Sequence, residues 1–500
     1  MRARLLLLAA ALAAFGASLG SGFHFDDYAI FADRFLTSST GWLDVWSLRQ
    51  TRPLTYLSFW LNYQLGGTDP LGYHALNLAL HVGAVLLAYE CLRGLIGERP
   101  AVVAAALFAV HPFQAEAVDY VWGRSIVLAT LLCLAALWCW LAGRPWEAVV
   151  WFLGAVLAKE EVAAFPLALL LLPRKHDRPH LGAIAAMLGL SLAAGVRVIY
   201  ATAVTPGAPA GFQAGISPAR YLLAQGPVIL RYLRLLVVPY GFTVDADARV
   251  PALGWGLAAW ALVIALASAA WRFRRKDGWG VWAVAGLILL LPSSSIFPAA
   301  DLSADRRMYL PLVAFAAAAA LLLARVRVPL GAVAALLRQS PPEPRSSPVK
   351  MPVGAVVAVL LAAIAMARTQ AWMTERSLWS EAVRLAPEKL RPKIQLARAL
   401  PPAQALDLLA KARALAPNDP EVATETGRAL MAGGHPGEAL VEFGRALALD
   451  PRDARNFNNR GVALAGIGQM DAARADFERA LALDPALGEA RENLKRLRAQ

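Results

Sequence analysis

What most constrains this chain is the recurrence of long apolar runs, near residues 5–20, 71–96, 101–112, 125–142, 146–158, 162–173, 181–203, 252–271, 279–292, 308–324 and 352–368. Hydrocarbon offers no water to backbone N–H and C=O groups, so such runs must be helical. A core of about 30 Å asks for about 20 residues per crossing. The shorter runs must tilt or continue into loops. Hydrophobic residues make up 58% of the 500, which excludes an ordinary soluble protein. The fold class is therefore all-α: a polytopic membrane bundle of about eleven spans over 1–370, followed by a second domain over 371–500.

A formal net charge of +13 could suggest nucleic acid as a partner. The basic residues instead cluster at the ends of apolar runs, as the positive-inside rule explains, and no nucleic acid is expected. Cys91, Cys133 and Cys139 lie within apolar runs, without metal-ligand spacing, and read as buried hydrophobes. The basic start and the run from Leu5 to Leu19 would suit a signal peptide. A retained first helix is expected, because further spans follow. If Arg2 and Arg4 are cytoplasmic, successive crossings put Arg93 and Arg99, Arg144, the cluster at 174–178, the cluster at 272–276, and Arg325 with Arg327 on the same side. This holds only if 220–240 does not cross; its interrupting arginines suit an interfacial or re-entrant helix. The C-terminus is then extracytoplasmic. The proline-rich stretch 340–348 reads as a cytoplasmic linker.

After residue 370 a self-similarity of 34 residues appears: Pro417, Pro451 and Pro485 are equally spaced, as are Gly427 and Gly461, Phe443 and Phe477, and Ala412, Ala446 and Ala480. That period with that Ala-x-x-x-Phe spacing identifies tetratricopeptide repeats, preceded by a degenerate repeat shortened near Pro401 and Pro402. Their concave surface could hold a peptide or serve as a spacer.

The inferred topology gathers the polar motifs on one face. Asp26 and Asp27 stand where the first apolar run ends, in the loop 21–70. Two adjacent carboxylates cost too much in hydrocarbon to be lipid-facing, so they mark a polar cavity or the water boundary. Trp42, Trp46, Tyr56, Trp60 and Tyr63 of the same loop suit interfacial anchoring or sugar stacking. His111, Glu116 and Arg124 at helix ends suit a phosphate or an oriented carboxylate, or else a structural ion pair. Lys159 with Glu160 suits snorkelling helix ends equally well. Arg306 and Arg307, beside Asp305, oppose the positive-inside tendency. A bound lipid phosphate would explain them, and so would internal pairing with Asp301 or Asp305. His74, Asn77 and His81 share one face of the second span and suit interhelical hydrogen bonds. No zinc spacing and no phosphate-cradling glycine loop occur, so a soluble nucleotide-sugar donor is unsupported.

An ordered set of motifs carries a family resemblance: Phe25-Asp26-Asp27-Tyr28, Arg52-Pro53-Leu54-Thr55, Gly72-Tyr73-His74, His111-Pro112 with Glu116 and Gly123-Arg124, Ala158-Lys159-Glu160, and Asp305-Arg306 with Tyr309-Leu310-Pro311, all ahead of the repeats. The chain resembles the transmembrane and tetratricopeptide-repeat (TMTC-like) branch of the GT-C glycosyltransferases along essentially its whole length. The resemblance implies sugar transfer from a polyprenyl-phosphate donor to an acceptor hydroxyl on the extracytoplasmic face, with inversion. A protein Ser or Thr presented by the repeats is one acceptor it suggests. It implies Asp26 as general base and Asp27 as its orienting neighbour, or the reverse. Arg306, with Arg124 and Lys159, would neutralise the departing lipid phosphate. Arg52, His111, Glu116, Glu160 and Asp305 complete the implied substrate-binding set. No cofactor is implied, and the scheme requires no divalent metal. The partners implied are the donor, membrane lipid and a protein or peptide acceptor. The alanine- and arginine-rich composition, without Asn-x-Ser/Thr sequons, fits a bacterial inner-membrane protein. A non-catalytic scaffold recruiting partners through its repeats is the rival reading; a transporter would show inverted repeats of broken helices.

Overall fold

The computed structural model describes residues 1–32, 35–172, 180–205, 210–211, 214–275, 278–324, 327–329 and 350–499. The linker at 340–348, the basic cluster at 174–178, Lys276 and Arg325 lie outside the described residues. The chain divides into two compact units, Met1–Thr374 and Glu375–Gln500.

The first unit is a multi-pass membrane bundle. Among the described residues, seven helical stretches are long and apolar enough to cross: Arg2–Gly20, Pro70–Ile96, Val121–Leu141, Leu181–Val204, Leu253–Arg272, Asp305–Leu323 and Val353–Ala371. Glu98–Val110 and Pro112–Val118 form an eighth only if their 47° bend is counted within one span. Proline at the first helical position and the His111 break explain the bend, since Pro112 has no N–H to continue the ladder. Helix length thus yields fewer crossings than the apolar runs suggest. Those at 146–158, 279–292 and 162–173 give helices of only 14, 12 and 7 residues. At about 1.5 Å per residue the last is only about 10 Å long. The interrupted stretch at 220–240 forms the helix Pro218–Val237, outside the seven.

Polar residues glue the bundle where the second span predicts it. One His74 nitrogen lies 3.1 Å from the Gly22 carbonyl. Asn77 donates to the Tyr120 carbonyl at 3.0 Å. His81 joins the Tyr309 hydroxyl at 2.7 Å and the Ala109 carbonyl at 3.1 Å. A short antiparallel ribbon, Arg327–Pro329 with Lys350–Pro352, and an isolated bridge between Ala210 and Ala299 interrupt the helical pattern.

The second unit is a run of antiparallel helices: Glu375–Leu385, Leu390–Arg398, Pro402–Leu415, Pro420–Ala432, Pro436–Leu449, Ala454–Gly466, Met470–Leu483 and Gly488–Ala499. The 34-residue identity positions have a steric reason. A Cβ on Gly427 would come within 2.6 Å of the Phe443 ring, and one on Gly461 within 2.7 Å of Phe477. Each glycine therefore lets a phenylalanine of the paired helix press against backbone. The degenerate repeat is the pair Leu390–Arg398 and Pro402–Leu415, whose first helix has only nine residues.

Candidate active site

The two aspartates of the first loop, adjacent in sequence, have different surroundings. After the first helix a 3-10 turn, Gly16–Gly20, brings the chain to Ser21. The Ser21 hydroxyl donates to the Trp372 carbonyl at 2.8 Å and meets a His24 ring nitrogen at 3.0 Å. That fixes the turn. Asp27 then accepts from the His24 N–H at 2.9 Å and from the Trp122 N–H at 2.8 Å, one bond to each carboxylate oxygen. It is fully buried. Burial pushes its carboxyl up to about 7, against the opposing pull of those N–H groups and of His24. Asp26 is exposed, and its carbonyl, accepting from the Ala29 N–H at 3.0 Å, helps to start the helix Asp27–Ala32.

The segment that holds Asp27 from the other side is itself tightly fixed. A Cβ on Gly123 would lie 2.6 Å from the Ala117 carbonyl oxygen, so only glycine fits this turn. Arg124 next to it is fully enclosed. Its guanidinium donates to Asn77 at 2.8 Å, to the Tyr73 carbonyl at 3.0 Å and to the Ser58 carbonyl at 3.2 Å, and lies 4.6 Å over the Phe59 ring. This corrects its reading as a substrate ligand: its donors are spent on the protein, and it positions the loop. His111 needs a similar correction. It caps the Phe113 N–H at 3.2 Å and stacks on that ring at 5.1 Å, near Phe242. Buried among aromatic rings, it faces no charged partner in the site.

The remaining sequence candidates are brought together as ion pairs. Arg306 pairs with the buried Glu116, whose second oxygen accepts from the Arg306 N–H at 3.0 Å. Arg52 grips Glu160 through two bonds, at 3.0 and 2.6 Å. Lys159 is buried, 3.2 Å from Glu161. Burial lowers the Lys159 amine to about 8, with the Arg52 and Arg306 charges adding to the fall and Glu161 opposing it. Burial works against ionising Glu161, yet Lys159, Arg307, Arg52 and Arg306 hold it at about 2. Asp305 accepts from Arg231 at 2.6 Å. Arg231 is the residue that sequence reasoning missed; the available signal was the arginine interrupting the apolar stretch 220–240. Arg307 closes its own loop, donating to the Leu302 and Asp301 carbonyls.

Tyr120 joins the acidic and cationic halves, because its hydroxyl lies in the field of Asp27, Asp26 and Arg306. Of the loop aromatics, Trp60 donates to the Ser38 carbonyl and Tyr56 packs edge-on against Trp122, whereas Trp42 and Trp46 are exposed. No group of three His, Cys, Asp or Glu side chains is placed to hold a metal among the described residues.

No family model matches the chain. Curated relatives do. A Caenorhabditis elegans protein O-mannosyl-transferase is 25% identical over 443 residues, covering 80% of this chain and 60% of the relative. Mouse protein O-mannosyl-transferase TMTC3 is 35% identical over 161 residues, 29% of this chain and 18% of the relative. Mouse TMTC1 is 44% identical over 111 residues, 22% and 12%. The chain resembles these TMTC-type proteins. It spans from 12% to 60% of the length of these relatives. Among solved structures, the tetratricopeptide-repeat protein YrrB aligns at 26% identity and a TM-score of 0.24, over 28% of the TMTC-like chain and 75% of that structure. The first such domain of human RPAP3 aligns at 21% and 0.22, over 23% and 92%.

Proposed function

We propose that this chain is a membrane glycosyltransferase that moves a sugar from a polyprenyl phosphate to a protein hydroxyl, on the extracytoplasmic face of a bacterial inner membrane. The relatives' names favour mannose as the sugar. The observation that carries the reading is the unequal aspartate pair: Asp26 exposed, Asp27 buried and locked by two backbone N–H groups. The higher proton affinity of Asp27 would suit a base near neutral pH, but its carboxyl is fully buried, sealed from an incoming acceptor. A base must first touch its proton, so the role falls to Asp26.

In this reading the Asp26 carboxylate takes the proton of the acceptor hydroxyl. That oxygen bonds to the anomeric carbon from the side opposite the phosphate, the carbon–oxygen bond to the phosphate breaks, and its electron pair leaves on the lipid phosphate. Inversion follows. Arg306, anchored by Glu116, and Lys159 supply positive charge where the phosphate gains it. Arg52, held by Glu160, and Asp305, held by Arg231, keep the surrounding turns in place. The scheme uses no cofactor and no metal. The repeats, on the same extracytoplasmic side, present the acceptor polypeptide.

The test is incorporation of radiolabelled mannose from polyprenyl-phosphate mannose into envelope proteins by membranes bearing the full chain. Asp26→Asn should lower transfer by about 10²- to 10⁴-fold, the usual worth of a general base, with the protein still folded. Full activity in both Asp26→Asn and Asp27→Asn would sink the assignment. Loss of every phenotype on deleting 403–500, with none in Asp26→Asn, would favour the scaffold.

A further inference from the structure

The reaction scheme leaves one buried group unused. The Tyr120 ring is clamped between Phe25, with ring centres 4.8 Å apart and planes at 21°, and Trp372, at 5.5 Å and 29°. His24 meets the same Trp372 ring edge-on at 5.7 Å. Behind the ring, the Tyr120 carbonyl is held by Asn77, which in turn is held by Arg124. Trp372 is itself fixed: fully buried, with its carbonyl bonded to Ser21. The ring cannot swing without breaking a stack on each face.

At the end of this fixed ring sits a hydroxyl that is shielded from water, with no partner at ordinary hydrogen-bond geometry and with the Asp26 side chain as the acceptor within reach. An unsatisfied buried hydroxyl is a cost that folding alone does not explain, since phenylalanine would fill the same volume without it. The groups it faces are the Asp27 and Asp26 carboxylates and the Arg306 guanidinium. We propose that Tyr120 is a positioning residue: the Phe25–Tyr120–Trp372 stack aims its hydroxyl at Asp26, to which it donates whenever the exposed carboxylate turns in, with or without an acceptor bound. A donor to the charged form favours that form and holds its orientation. The other charged or titratable groups around the stack are His24 on the first loop, and Asp119 with Arg368 behind it.

The inference rests on Asp26 as the base, so its test includes a reading that needs no catalysis. In the purified full chain, a carbodiimide with an amine labels carboxyls at a rate that rises with their protonation, and mass spectrometry reads the label at Asp26, relative to the exposed Asp471, across a pH series. Tyr120→Phe keeps the stack and removes the hydroxyl. It should move the labelling midpoint at Asp26 to higher pH by about half a unit or more, the scale of an ordinary environmental shift. It should also lower kcat about tenfold while KM stays within about twofold, because the lost contact acts in the transition state. Trp372→Leu, which frees one face of the ring, should move the midpoint in the same direction by less. An Asp26 midpoint unchanged in Tyr120→Phe would overturn the proposal, whether or not the chain transfers sugar. Absence of transfer by the wild type would instead count against the transferase reading, leaving the labelling result to stand on its own.

Discussion

In the repeat unit the contacts that fix one helix against the next recur at a constant interval, whereas in the membrane unit no two contacts of the site are alike. Gly427 meets Phe443 as Gly461 meets Phe477, and Asp419 and Asp453 cap the first helices of successive repeats, each accepting from the N–H two residues on. In the site, Glu116 is joined to Arg306 across 190 residues, Arg52 to Glu160 across 108, and Ser21 to Trp372 across 351. A solenoid's stability is close to a sum of local terms, so a fault in one repeat stays in its neighbourhood. The site depends on long-range partners that must all be present together. One lost partner there leaves a buried charge unpaired.

That contrast can be broken most decisively at Arg306. Arg306→Ala strands the buried Glu116 carboxylate and should destabilise the membrane unit by about 3–5 kcal/mol, as breaking a buried pair does. Transfer should fall as well, and Glu116→Gln on the same background should recover stability but not activity. Thermal unfolding in detergent, read beside transfer assays, checks both. If Arg306→Ala is as stable as the wild type, the pair is not the anchor described.

Asp27 sharpens the comparison through pH. Its folded-state affinity for a proton is raised to about 7 from 3.8, so the native state binds this proton more tightly than the unfolded chain. The associated stability is fully present below about pH 4 and is lost as pH rises through about 7. The membrane unit should therefore unfold more easily at pH 8 than the same group would allow at about pH 5. Asp27→Asn should flatten that slope, at the cost of one unsatisfied N–H among His24 and Trp122. A slope unchanged in the variant would remove Asp27 from the account.

Smaller effects belong to the repeats. Gly461→Ala pushes a methyl against Phe477 and should cost about 1–3 kcal/mol, the range for overpacking, in the repeat unit alone. Asp453→Ala removes the side chain that accepts from the Arg455 N–H at 2.9 Å. It should cost about 1 kcal/mol, as a lost helix cap does. Urea unfolding followed by a probe in each unit separates these from changes in the membrane unit. Equal loss in both units would contradict the local character of the repeats.

Much of this was legible in the chain. The apolar runs all became helices and the 34-residue interval became helix pairs; in the stripe of the second span, His81 and Asn77 bond Tyr309 and Arg124 of other helices, while His74 meets the loop carbonyl of Gly22. Among the site candidates, Asp26, Asp27, Arg52, Glu116, Lys159, Glu160, Asp305 and Arg306 do gather around one another. Their pairings were only partly legible: Arg306, read as a lipid-phosphate site or else as paired with Asp301 or Asp305, does lie 3.8 Å from Asp301, yet Glu116 is its main partner and Asp305 is taken by Arg231. Arg124 and His111 carry the right chemistry for an anion but are enclosed by the residues that surround them. Nothing in a linear motif distinguishes a cation that faces a cavity from one that is sealed by Asn77, Tyr73 and Ser58.

Periodicity and polarity are local properties, and they determined which segments are helical, which repeat, and which motifs are too costly to be filler. Partner choice among charges is set by distances that only the folded chain fixes, often across more than a hundred residues. So it is with the first loop. The sequence places Asp26 and Asp27 side by side as equals; the tertiary structure seals Asp27 against the backbone of His24 and Trp122 and leaves Asp26 open, because only one of two adjacent side chains can point into that turn.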